Sequence, residues 1–179
     1  DLLTRLTPLP EANPHNTPEA VVVAIDEETL QARGGMRRIR PILTETLEQL
    51  RDANPKVVAL DTILSDPGDP AEDGRLEAAL RATENLILPC ELVAAADGTH
   101  WEDPLDRFKN TTTAVGHVHA EQDRLDGVSR EISLEDIANG QRRWALVLEA
   151  FRVSRGAGIV ESPEDLSVGS ALIPAPRSG

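Results

Sequence analysis

The chain has no tyrosine and only four aromatic side chains in 179 residues: Trp101, Trp144, Phe108 and Phe151. Sites that grip sugars, bases or quaternary ammonium groups lean on aromatic faces, so that kind of recognition has little material here. The single cysteine, Cys90, excludes an intrachain disulfide and any cysteine-built zinc site. A chain of this length can bury one core without either kind of staple. Nothing approaches the run of roughly 18 apolar residues that a membrane-spanning helix needs. Lysine is scarce too. Only Lys56 and Lys109 stand among the 18 basic residues; the others are arginines, which suit fixed ion pairs and forked contacts to anions. Against them, 31 acidic residues leave a net charge of −13 and a pI near 4.7. Such a surface repels nucleic-acid phosphates, so nucleic acid is not an expected partner.

What is present is an alternation of apolar runs with amphipathic segments. Residues 1–19 carry four prolines and no pattern, and read as an extended lead-in. The stretch Ala20-Val21-Val22-Val23-Ala24-Ile25-Asp26 is β-branched and ends in an acid, as strands buried on both faces of a parallel sheet do. Pro41 suits the first turn of a helix, and Ile42, Leu43, Leu47 and Leu50 then share one helical face through about Asp52. Residues 56–61 form a second apolar run ending in Asp61, which completes a right-handed βαβ unit. A helix over 71–83 and a strand over 85–89 continue the series. Residues 114–120 read as a strand. Residues 128–134 alternate apolar and polar after an acidic loop, which suggests an antiparallel pair. A last helix is expected over 142–155. The fold class is therefore α/β: a mixed, mostly parallel sheet flanked by helices, with an antiparallel strand pair in the second half.

Several residues could carry chemistry. Asp26 and Asp61 end neighbouring expected strands, which would place both on the carboxyl edge of the sheet, where α/β proteins build their sites. Each could instead cap a helix or turn. The two acid-ended strands look like those of a phosphoacceptor receiver domain. A receiver, however, needs a further strand and helix between the acids and a later strand-end lysine, and only Lys109 follows Asp61. A haloacid-dehalogenase phosphatase would need a second Asp where Glu28 stands. His117 and His119 lie two apart on a strand and so share a face, but no third ligand is legible nearby; no metal and no cofactor is expected. Cys90 has no local activating group. Arg130 falls on the apolar side of 128–134. A guanidinium there must reach an edge or meet a carboxylate, with Asp26, Asp61, Asp123 and Asp126 as the candidates.

Taken in order, these stretches resemble the type-two CHASE domain, the extracellular sensory module of bacterial cyclases, histidine kinases and related receptors. The likeness rests on five features. They are residues 21–26 followed by Glu27 and Glu28; Arg40 before the first helix; residues 56–61 followed by Ile63-Leu64-Ser65; the acid-led helix 73–80; and Gly116-His117-Val118 followed by Asp123, Asp126-Gly127-Val128 and Arg130. The chain departs from the family where Met36-Arg37-Arg38-Ile39 stands in place of an aromatic-proline stretch. The resemblance implies a single extracytoplasmic sensor domain over 20–179, cut from a larger receptor between transmembrane helices and short at its C-terminal end. It implies a homodimer that relays an unknown small ligand or physical cue to an intracellular output domain. The candidate ligand-binding residues are Asp26, Arg40, Asp61, His117, Asp126 and Arg130. Two other classes remain open: an α/β hydrolytic or metal-dependent enzyme, and a module that only dimerises.

Overall fold

The computed structural model describes residues 20–96, 98–120, 129 and 132–174. In chain order these form α1 (Glu27–Arg33), α2 (Ile39–Arg51), β1 (Val58–Ala59), α3 (Pro70–Arg81), β2 (Leu86–Ala95), β3 (Gly98–Glu102) and α4 (Asp106–Lys109). They continue as β4 (Ala114–His117), β5 (Glu135–Ala138), β6 (Gln141–Trp144), α5 (Leu146–Ser154), β7 (Ile159–Glu161), β8 (Asp165–Val168) and β9 (Ala171–Pro174). A 3-10 turn, Met36–Arg38, leads into α2.

The sheet is built around β2. Its first half, Leu86-Ile87-Leu88-Pro89-Cys90, is wholly buried, as a continuous apolar run in a central strand should be. That half pairs in parallel with β1 on one side and β4 on the other, with Cys90 opposite His117. Its second half pairs antiparallel with β3. On one face Leu43 and Leu47 of α2, Leu76 and Leu80 of α3 and Phe108 of α4 pack with Leu86 and Leu88 in the main core. Helix α5 packs on β4, β2 and β1 and also carries a second cluster, in which Leu148 meets Val168 of the β7–β9 sheet. The architecture is mixed α/β, with the parallel sheet and the antiparallel pairs of the second half that the sequence predicts.

Local chemistry explains the element ends. Asp26 caps α1 by accepting from the Thr29 amide at 2.8 Å, and Gly34, at φ 95°, stops it. Asp69 accepts from the Ala71 and Glu72 amides, and Pro70 opens α3. The shortness of β1 has a cause in β2. The carbonyls of Asn85 and Ile87 accept from Val58 and Leu60, while those of Leu86 and Cys90 accept from Thr113 and Val118. Odd-numbered residues of β2 thus face β1, and Pro89, which has no amide hydrogen, faces β1 where its ladder stops.

Some expectations need correction. Residues 20–26 form no strand: Val21 and Val22 are exposed, while Ile25 packs against the core. The β1–β2–β4 parallel set is therefore made without them. The expected helix over 142–155 begins later, because Gln141–Trp144 is β6 of a hairpin with β5. Of the expected strand over 128–134, residues 128, 130 and 131 lie outside those described, and Ser129, Ile132, Ser133 and Leu134 have no strand structure.

Candidate functional site

Two clusters of charged and polar side chains stand out. The first joins the start of α2 to the start of α3. Arg40 Nε contacts Asp73 Oδ1, and an Arg40 terminal nitrogen donates to the Asp66 carbonyl. Asp73 is almost fully buried and also accepts from the Gly68 amide at 3.0 Å. The guanidinium lies across Gly68 so closely that a Cβ there would fall 2.6 Å from Arg40 Cζ. Beside it, Arg38 pairs with Glu72 at 2.6 Å. The arginine-rich stretch before α2 is thus docked on the acidic first turn of α3, where negative charge also suits the helix dipole. This clasp engages two of the three Arg40 guanidinium nitrogens internally and so ties the two helices together.

The second cluster lies at the carboxyl edge of the parallel strands and centres on His117, the last residue of β4. The imidazole is wholly buried and stacks against Trp101 of β3, with ring centroids 5.8 Å apart and planes 24° from parallel. Neither ring nitrogen has a hydrogen-bond partner among the described residues, nor do Asp136 Oδ2 and Arg143 Nε. Each such orphaned group costs about 1–3 kcal/mol, which folds tolerate mainly where function requires it. Burial pushes the His117 pKa below its ordinary 6.5, the Asp136 carboxylate opposes that shift, and His119 adds to it. Cys90, opposite His117 on β2, has its thiol pushed up to about 11, chiefly by burial. It is therefore unreactive as a nucleophile.

The β5–β6 hairpin supplies Asp136 and Arg143, which are cross-strand partners. Two ties hold it to the sheet. Trp101 Nε1 donates to the Gln141 carbonyl at 2.8 Å, and an Arg143 terminal nitrogen reaches both Asp103 oxygens at 2.9 and 3.1 Å. Asp103 also pairs with Lys109. Gly116 lets β4 approach α5 closely; an added Cβ would meet Leu146 Cα at 2.6 Å. Among the described residues no group of three or more His, Cys, Asp and Glu side chains is arranged to hold a metal ion.

A CHASE2 domain family model matches residues 1–179, the whole chain. The chain belongs to the CHASE2 domain family. No curated protein and no solved structure matches it. CHASE2 domains are extracellular sensory domains, and no described helix of this one is long and apolar enough to cross a membrane.

Of the residues singled out in this CHASE2 domain, His117 alone enters the carboxyl-edge cluster. Asp26 is a helix cap and does not end a strand beside β1. Asp61 is exposed just beyond β1 and makes no side-chain hydrogen bond or ion pair among the described residues. Asp126 and Arg130, and the expected Arg130–carboxylate contact, lie outside the described residues. A groove of about 440 Å³ on α3, lined by Gly74, Glu77, Ala78, Arg81 and Ala82, includes none of the candidates. Asp73, Trp101, Asp103, Asp136 and Arg143 were not among them either. Their partners lie 30 to 40 residues away or across a strand pair, so no local motif marks them.

Proposed function

We propose that this CHASE2 domain is the extracytoplasmic input domain of a transmembrane receptor and relays an external cue to an intracellular output domain. The family match over the whole chain carries this reading. The reading includes a non-catalytic role. It is supported by the high thiol pKa of Cys90, which leaves the single cysteine a poor nucleophile. In the full receptor the domain acts as a homodimer, so a change of shape in each copy becomes a change in the spacing or angle of the membrane helices.

Two measurements on the full-length receptor in intact cells test this. Cys90 is buried and contributes little thiol background, so a membrane-impermeant thiol reagent should label Leu172→Cys, an exposed position, from outside. Replacing residues 20–174 with an inert domain should leave basal output but abolish its response to external conditions. Labelling only after cell lysis, or an unchanged response, overturns the proposal.

A further inference from the structure

The cluster at His117 points to the kind of cue, an inference that rests on the sensing role proposed above. We propose that His117 is the centre of a proton-operated latch: its neutral ring lets the β5–β6 hairpin seat on the carboxyl edge of the sheet, and its protonation unseats the hairpin.

The geometry supplies each part. The ring is wholly buried between β2, β3 and the hairpin side, and the neighbouring Gly116 has no room even for a methyl group. A proton is the one ligand that needs no cavity. Neither ring nitrogen has a partner among the described residues, so the imidazole can take up a proton without breaking a hydrogen bond to any of them. The charges around it are unbalanced. Asp136 of β5 favours the charged ring, and its Oδ2 has no partner among the described residues. Opposing it is His119 on the same stretch, while Arg143 of β6 and Lys109 of α4 bear on the neighbouring Cys90. Asp103 is already shared by Arg143 and Lys109, and Cys90 of β2 stays neutral. A new positive charge must therefore either stay buried or draw the Asp136 carboxylate toward it. If Asp136 moves, β5 moves with it and the hairpin ties at Trp101 and Asp103 are strained; if it does not, the unpaired buried charge destabilises the seated hairpin.

The structure also provides the readout, because an imidazolium stacked on an indole quenches its fluorescence. In the 179-residue chain, lowering the pH from about 8 to about 5 should quench Trp101 with a midpoint below the ordinary histidine value near 6.5. Amide exchange in Glu135–Ala138 and Gln141–Trp144 should rise in the same window. His117→Gln should abolish both changes. Asp136→Asn should move the midpoint to lower pH, which a purely structural carboxylate would not do. Trp101→Phe should remove the optical change while the His117 ring protons still titrate by NMR. A hairpin whose exchange is flat while His117 titrates overturns the latch, as does a transition that persists in His117→Gln. If His117→Gln fails to fold, the direction of the Asp136→Asn shift decides. In the full receptor, an acid response that survives His117→Gln overturns the latch but leaves the sensing role intact. Output indifferent to replacement of the whole domain overturns the sensing role, and the titration of the isolated chain still tests the latch.

Discussion

At the scale of single residues, two buried polar groups make different demands. Arg40 and Asp73 are mutually satisfied, and Asp73 is 3% exposed. Removing one member of such a pair typically costs about 3–5 kcal/mol, because the other charge is left buried. Asp73→Ala should therefore lower the unfolding free energy read from a urea titration by about 3–5 kcal/mol, whereas exposed Glu45→Ala, which frees Arg33, should change it by at most about 1 kcal/mol. His117 is unsatisfied and acts through pH. Its folded pKa lies below 6.5, so its contribution is present above that value and is lost as pH falls from there toward the folded value. The thermal midpoint should drop as pH falls below about 6.5, and His117→Gln should flatten that slope. Glu77, whose pKa is lowered mainly by hydrogen bonds from Arg107 and Arg81, acts in a separate window below its ordinary 4.5. The sequence pointed to His117 by its strand position. It could not point to Asp136 or Arg143, because their placement at the carboxyl edge of the sheet depends on how a later hairpin docks.

At the scale of elements, Gly116 and the β5–β6 hairpin give the sharpest tests. Gly116→Ala would push a methyl into the backbone of Leu146 and should cost about 1–3 kcal/mol or more, read by denaturant unfolding. The elements that were legible in the sequence are those that bury a regular face: α2, α3, β2 and β4. Those that were missed bury little. Helix α1 has no buried residue, so no apolar stripe marks it, and β3 is Gly-Thr-His-Trp-Glu on an edge. The segment 141–154 has the composition of one helix, yet its first four residues pair with β5 through a turn at Asn139 and Gly140, both with positive φ. The same spacing, Ser-x-Glu-Asp-x-x-x-Gly, opens both this hairpin and the β8–β9 hairpin, from Ser133 to Gly140 and from Ser162 to Gly169. Residues 20–26 misled in the opposite direction: a β-branched run promises a buried strand, but here half of it faces outward.

At the scale of the whole molecule, the acidic chain should behave as a receptor component and not as a catalyst. Purified chain incubated with generic phosphate and acyl esters should show no turnover above background; turnover lost in Asp61→Asn would reverse that expectation. The fold class was legible because the order of apolar runs limits how an α/β sheet can be wound. The placement of the polar cluster was not, since it depends on contacts between distant segments. The long strand β2 has a mechanical consequence. Its 10 residues run for about 33 Å, parallel-paired at one end and antiparallel-paired at the other. An extended strand bonded into a sheet resists stretching, so a pull applied at Ala95 is felt at Leu86, with part of the load passed to β3, β4 and β1 on the way. The end of β2 at Ala95 is in that sense a handle on the centre of the sheet, and a force applied there bears on the floor under α2, α3 and α5 together.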